Sequence, residues 1–214
     1  MSALRFSSLI ILFPILFAAC GRSELIRIRM LAPVNEDKKD HAIFTDTESL
    51  SSFTPVITNK QIGGSLYFLF KSIGLGYTTI TTKMEKADEN LTEKTTLVTN
   101  FADVAFGIGE NYSFMWGAGV LTGGKWETSL EYDSKTFNPK HNYLGGHSLF
   151  FVLGHHGFGF ETLLGYRTNS IKAEFEEINP SDEDIGKTDK DFTYESNIIS
   201  LKTSQVQLGI GFTF

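Results

Sequence analysis

The sequence predicts an all-β fold, specifically an eight-stranded antiparallel up-and-down transmembrane β-barrel. Three observations predict it: short segments alternate apolar with small or polar residues, tight turns join these segments in pairs, and long polar stretches separate the pairs. Beyond residue 24, no stretch of twelve or more residues repeats apolar positions at helical spacing. We therefore expect strands rather than helices.

The composition bounds the class of protein. The chain has 214 residues, 41% apolar and 21% charged, which fits one domain with a regular core. Its aromatic residues are 19 Phe and 7 Tyr against 2 Trp, and flat rings of this kind favour strands. The net charge of −6 and the lack of a basic stripe argue against nucleic acid as a partner.

The N-terminal residues have the pattern of an export signal, predicted over 1–19. Arg5 precedes an apolar stretch from Leu9 to Phe17, which is too short to span a bilayer. The segment that ends Leu16-Phe17-Ala18-Ala19-Cys20-Gly21 resembles a lipoprotein lipobox, although Phe17 departs from that pattern. Lipid attachment at Cys20 and ordinary cleavage nearby both stay open, and 20–214 are expected to form the barrel domain.

Hairpins supply the strands. A two-residue turn pairs Phe70 with Ile73, a second turn pairs Ile108 with Phe114, and a third turn, Gly154 to Gly157, pairs Leu153 with Phe158. In each hairpin this pairing puts the apolar residues of both strands on one face. A final strand and a short first strand complete the eight; their outward residues are predicted to be Val206, Leu208, Ile210, Phe212 and Phe214, and Ile26, Ile28 and Met30.

The connections are predicted to be asymmetric. Long polar loops are expected at 33–60, 83–95, 123–144 and 173–198, opposite the short turns, so both termini lie on the short-turn side. Large outward residues cluster near the short turns, and Phe70, Phe114 and Phe158 suggest an aromatic girdle there. The predicted counterparts at the other end are Tyr77, Trp126 and Tyr166.

These features resemble the small outer-membrane barrels of the OmpA and OmpX type. The resemblance rests on strand count, loop asymmetry and the last strand ending Gly209-Ile210-Gly211-Phe212-Thr213-Phe214. It implies that Phe212 and Phe214 form a signal for the barrel-assembly machinery. It also implies a monomer in the outer membrane of a Gram-negative-type bacterium, in contact with membrane lipids and lipopolysaccharide, with periplasmic termini and long loops outside.

The barrel interior is the place where charges are expected to meet. Inward positions include Arg27, Arg29, Asp103, Glu161 and Arg167, and inward glycines leave room for the long guanidinium groups. Buried charges are costly unless they are paired, so an internal network of arginines and carboxylates is predicted. Eight strands leave room for side chains but not for a wide pore. A proton or ion pathway is the alternative interpretation.

Catalytic and metal sites are not predicted, and no cofactor is expected. His147 and Ser148 are adjacent, hence on opposite faces, and do not match the His-x-Ser spacing of lipid A deacylases. The acidic stretch from Ala173 to Ser196 departs from calcium-loop spacing. It is interpreted as a solvated loop, with divalent-ion bridging to lipopolysaccharide as the alternative.

Three functions are compatible with such a barrel. The favoured hypothesis is a structural or surface-interaction protein that spans the outer membrane and presents four polar loops. The second is a soluble periplasmic lipocalin-like carrier of a hydrophobic ligand, which would need charged outer faces rather than the Gly, Gln, Thr and Ser seen opposite the apolar faces. The third is a lipid A-modifying barrel enzyme, against which the absent His-x-Ser spacing speaks.

Overall fold

Eight long strands make up the structure, which is a computed structural model and describes residues 26–34, 56–57, 60–87, 91–132, 135–138, 140–157, 159–175 and 198–214. The strands are β1 Ile26–Pro33, β2 Lys60–Phe70, β3 Ile73–Ala87, β4 Leu91–Gly109, β5 Tyr112–Tyr132, β6 His141–Gly157, β7 Phe160–Phe175 and β8 Ile198–Thr213. None of the described residues forms a helix long and apolar enough to span a bilayer.

Every long strand pairs antiparallel with its neighbours in the chain, and β1 pairs with β8, so the sheet closes on itself. The predicted eight-stranded, up-and-down, all-β barrel is thus confirmed. Two short strands are added to it. Val56–Ile57 pairs with β8 beyond the end of β1, and Lys135–Phe137 pairs with β5.

The pairing register fixes the tilt of the strands. Following paired residues once around the barrel from Ile26 leads through Phe70 and Tyr166 to Val34, eight residues further along β1. Eight strands with a shear of eight tilt by about 36° from the barrel axis. A path that stays at constant height around the barrel therefore shifts by one residue toward the tight turns at each successive strand. The constant-height path that starts at Ile26 runs through the three tight turns.

Side chains alternate between the interior and the outer surface as predicted. In β8, Val206, Leu208 and Ile210 are exposed and Gln207 is buried; in β1, Arg27, Arg29 and Leu31 are buried. The pairings Phe70↔Ile73 and Ile108↔Phe114 are both confirmed. These two hairpins therefore have the register that their turn lengths impose.

The third hairpin differs from the prediction. The segment Gly154 to Gly157 continues β6 instead of turning, and Leu153 pairs with Leu164 rather than with Phe158. The two registers differ by an even number of residues, so both place the same side chains outside. The alternation of apolar and polar residues is therefore compatible with both pairing registers.

Two of the predicted loops are largely strand. β3 and β4 are paired as far as Ala87↔Thr92, inside the loop expected at 83–95, while β5 runs to Tyr132 inside the loop expected at 123–144. Charged residues of the first of these stretches, such as Lys83 and Glu85, lie on the outer face of β3. The strands continue past the region in which their outward side chains are apolar. In this continuation the polar composition belongs to paired strand, not to a loop.

Trp126 lies inside the barrel, so its assignment to the second aromatic girdle is wrong. Asn100 pairs with Gly123 and Phe101 with Leu121, which leaves Thr122 as an extra residue in β5. Such a bulge reverses the alternation beyond it. Trp126 is consequently 1% exposed, whereas Tyr77 and Tyr166 remain on the outer face.

Several predictions lie outside the described residues. They are the export signal at 1–19, lipid attachment at Cys20, the girdle residue Phe158, and most of the loops at 33–60 and 173–198, including the acidic stretch beyond Phe175.

Candidate functional site

A continuous apolar belt surrounds the barrel. Each strand contributes an outward-facing large apolar side chain that is between 41% and 68% exposed: Met30, Phe68, Leu75, Val104, Val120, Leu153, Leu164 and Leu208. On β1 the belt runs from Ile26 to Val34. With the strand tilt above, these nine residues span about 21 Å along the barrel axis.

Aromatic rings gather at the turn end of this belt. Phe70 is 58% exposed, Phe114 36% and Phe214 71%. Phe114 stacks on Trp116 with ring centroids 5.4 Å apart, and Trp116 in turn stacks on Phe106. Phe70, Phe114 and Phe214 therefore lie at the turn end of the belt, and stacking connects Phe114 to rings nearer its middle.

A lower charged cluster lies inside the barrel near the tight turns. Arg29 donates to both carboxylate oxygens of Glu161, at 2.8 Å each, and also to Ser113 Oγ at 2.7 Å. Arg27 donates to the carbonyl oxygen of Gly109 and lies 3.9 Å from Glu161. These contacts join β1 to β4, β5 and β7 across the interior.

An upper charged cluster lies deeper in the barrel and is centred on Arg167. Its guanidinium makes a bidentate pair with Asp103, with both N···O distances 2.9 Å, and both side chains are fully buried. Arg167 Nη2 also donates to Ser148 Oγ at 2.5 Å, and Nε donates to Asn169 Oδ1 at 3.1 Å. Thr78 donates to Asp103 at 2.6 Å.

Aromatic rings and a glycine complete the surroundings of Arg167. The guanidinium carbon lies 4.8 Å from the ring centroid of Phe101 and 5.3 Å from that of Phe150. A side chain at Gly119 would overlap the Asp103 carboxylate and come within 2.7 Å of Ser148 Oγ. Gly119 therefore provides the space in which the ion pair forms.

Apolar layers separate and cover the two charged clusters. Between them lie Leu31, Leu69, Met115, Val152 and Leu163, together with Tyr67, Ala105 and Phe150. Beyond the upper cluster lies a second group: Met84, Leu97, Phe101, Trp126, Ile171, Ala173, Phe175 and Leu201.

The structure brings the five predicted interior residues together in these two clusters. Arg27, Arg29 and Glu161 meet in the lower cluster, and Asp103 and Arg167 meet in the upper one. The sequence did not indicate the neutral partners of these charges, which are Tyr67, Thr78, Ser113, Ser148 and Asn169. Their inward position follows from alternation, but which charge each one contacts depends on the shear of the barrel.

The adjacent His147 and Ser148 lie on opposite faces of β6 in the structure. His147 is exposed on the outer face, whereas Ser148 is buried and bonded to Arg167. His155 lies on the outer face against Tyr112, with ring centroids 4.9 Å apart. No group of three or more His, Cys, Asp or Glu side chains that could hold a metal ion occurs in the described part of the chain.

Breaking the upper ion pair should strongly destabilise the barrel. We expect Asp103→Asn to lower the free energy of unfolding by about 3–5 kcal/mol, because it leaves the Arg167 charge buried without a counter-ion. Urea unfolding of the refolded protein in detergent or lipid, followed by gel mobility, measures this effect.

A matched control is available on the outer surface. Lys94 and Glu85 form an ion pair at 3.6 Å with both side chains more than half exposed, so Glu85→Gln should cost less than about 1 kcal/mol. Equal costs for Asp103→Asn and Glu85→Gln would contradict a central role for the buried pair.

Comparison with known proteins adds no family assignment to this geometry. No protein-family model matches the chain, and a search of the curated proteins gives no significant match.

Proposed function

We propose that this chain is an outer-membrane β-barrel protein with a structural or surface-interaction role. The observation that carries the proposal is its inside-out arrangement: Arg29 and Arg167 are completely buried, while Leu75 is 68% exposed. A soluble carrier would place charges outside and an apolar cavity inside, the reverse of this pattern. The lipocalin-like alternative is therefore disfavoured.

The dimensions of the barrel support the same proposal. The apolar belt is about 21 Å tall, and the lipid-facing band of outer-membrane barrels is about 25 Å tall with aromatic girdles at its edges. The filled interior makes the barrel a rigid anchor rather than a channel. Recognition of other cells, host molecules or envelope partners then falls to the end opposite the tight turns, where the extended strands project.

The proposed orientation follows from the resemblance and from the export signal at 1–19. The tight turns and both termini face the periplasm, and the long connections face outward. The resemblance also suggests that the assembly machinery recognises Phe212 and Phe214. In the structure, Phe214 is 71% exposed and exchanges backbone hydrogen bonds with Ile26. Its ring is thus accessible for recognition.

The first test is fractionation of expressing cells. The chain should appear in the outer-membrane fraction and migrate differently on a gel before and after boiling, because a closed barrel resists detergent until heated. Release of the protein as a soluble periplasmic species without detergent would refute the proposal and restore the carrier hypothesis.

A single charge on the belt provides a second test. Leu75→Arg should cost about 2–4 kcal/mol of unfolding free energy in a bilayer, since Leu75 would lie near mid-membrane. Thr81→Arg, on the same face of β3 but beyond the belt, should cost only about 0–1 kcal/mol. If water surrounds both sites, the two variants should have the same small effect, and the proposal fails.

A third test concerns assembly. Phe214→Ala should reduce the amount of heat-modifiable barrel in cells while leaving refolding of the purified chain nearly unchanged, because the ring is mostly outside. Phe70→Ala, at the same end of the belt, serves as the control. Equal losses of assembled protein in the two variants would argue against a recognition role for Phe214.

A further inference from the structure

The hydrogen-bonded ladder between β5 and β6 is interrupted beyond the apolar belt. It ends at Val120↔His147 and reappears, in the same register, at Leu130↔Phe137, where the short strand pairs with β5. Between these two ladders, the residues of the two strands that the structure describes are not paired with each other. Both strands keep their other neighbours, β4 and β7. The interruption is therefore a local opening in the barrel wall.

Residues that face inward at this opening are less buried than inward residues elsewhere. Leu121 and Leu144 are partly exposed and Gly124 is exposed, whereas Trp126, the next inward residue of β5, is 1% exposed. Nδ1 of His141 donates to the carbonyl oxygen of Trp126 at 3.1 Å, which ties the two strands together on the side away from the belt. Backbone groups that a continuous ladder would have paired can therefore hydrogen-bond to another polar molecule.

A tyrosine ring lies flat on the outer surface beside the opening. Tyr143 is 55% exposed, and a Cβ at Gly145 would overlap its ring and hydroxyl group. The ring therefore lies across the backbone of Gly145, where only glycine leaves room for it. On the facing strand, a Cβ at Gly123 would have a single neighbour within 4 Å, Asn100 Nδ2 at 3.9 Å. The surface around the ring is thus flat and unobstructed.

Four exposed charged side chains flank the ring. Lys125 and Glu127 of β5, in direct contact with each other, lie on one side of it, with their side chains 64% and 58% exposed. Lys172 and Glu174 of β7 lie on the other side, where Glu174 pairs with Tyr143 itself. Ammonium groups donate hydrogen bonds and carboxylates accept them. The surroundings of the ring can therefore bind both anionic groups and hydroxyl groups.

The height of the site above the belt selects a tall headgroup. Because of the strand tilt, His147 lies one residue height above its partner Val120 at the upper edge of the belt, and Gly145 lies two more above His147. The site therefore begins about 8 Å above that edge, and Lys125 lies about 11 Å above it. A phospholipid headgroup adds only about 5–8 Å to the hydrocarbon. Linked sugars extend farther from the acyl chains and reach this height.

We propose that the opening between β5 and β6, together with the Tyr143 ring, binds the sugar headgroup of a membrane-anchored glycolipid. A sugar ring stacks one face of C–H bonds on the tyrosine ring, which is flat, rigid and apolar on its face. Sugar hydroxyl groups exchange hydrogen bonds with the opened backbone and with the glutamates, and the lysines bind acidic substituents such as phosphate. This inference rests on the proposed membrane placement and names the kind of lipid that the outer wall selects.

The test uses the full-length barrel, folded in mild detergent and first shown to be heat-modifiable. Lipopolysaccharide with a truncated sugar chain, phosphatidylglycerol or free glucosamine phosphate is added, and an apparent affinity is obtained from the rise in the thermal unfolding midpoint. We expect a rise with lipopolysaccharide and a much smaller one with phosphatidylglycerol, which carries the charge without the sugars. Free glucosamine phosphate at the same concentration should give no rise, because it lacks the membrane anchor.

Variants of the site separate the ring from the charges. Tyr143→Ala should weaken the apparent affinity for lipopolysaccharide about tenfold, because the stacking surface is lost, whereas Tyr143→Phe keeps the ring and should retain most of the affinity. Gly145→Val should weaken binding to a similar extent, since its side chain displaces the ring. K125Q/K172Q should also weaken binding about tenfold, given roughly 1 kcal/mol for each cation near a lipid surface.

A matched control removes a tyrosine from the belt. Tyr77 is 52% exposed on the outer face, but it lies below the opening, so Tyr77→Ala should leave the affinity unchanged. The proposal is overturned if Tyr77→Ala weakens binding as much as Tyr143→Ala, if Tyr143→Phe loses binding as Tyr143→Ala does, or if phosphatidylglycerol or glucosamine phosphate gives the same shift as lipopolysaccharide. Failure of the membrane proposal itself would be visible earlier, as a chain without a heat-modifiable form.

Discussion

The buried pair of Arg167 and Asp103 is the constraint on which the rest of the barrel depends. A charge in the interior must be paired, and a bidentate pair tolerates little displacement. If a strand slipped by one residue, its charges would move to the outer surface, and a slip of two residues would shift them by about 6.6 Å along the strand. Since Arg167 also contacts residues of β3 and β6, the pair selects one register for several strands together.

The same alternation that buries these charges produces the apolar belt. Because side chains alternate along a strand, the residues on either side of each inward polar residue point outward. In a barrel of eight strands with a shear of eight, the interior has room for side chains but little else. Gly119 and Gly211 provide room beside the two arginine–carboxylate pairs, because a Cβ at either position would crowd the carboxylate. Inward glycines are thus required by the large charged side chains that share the interior with them.

The sequence was sufficient for the faces of the strands and for two of the three hairpins, because alternation and turn length are local properties. It was insufficient where a local pattern fits two structures. At Leu153, the predicted and observed pairing registers differ by an even number of residues, so the outer face is the same in both. The extra residue Thr122 reverses the alternation and moves Trp126 inside. The charged outer face of the strands beyond the belt has the composition of a loop. The partners of Arg167 come from four other strands, so they depend on the arrangement of the whole sheet.

The buried charges of the described interior are confined to the level of the belt. Beyond the belt, the core combines apolar residues such as Leu97, Trp126 and Phe175 with uncharged hydroxyls such as Thr95 and Thr128. Lipid around a barrel provides no hydrophobic driving force for filling its interior, so hydrogen bonds and close packing must specify the structure there. Beyond the belt the proposed surroundings are water, and apolar burial again stabilises the wall. On this placement, the strands from β3 to β7 can extend past the membrane as a folded sheet, which gives the loops they carry a rigid base.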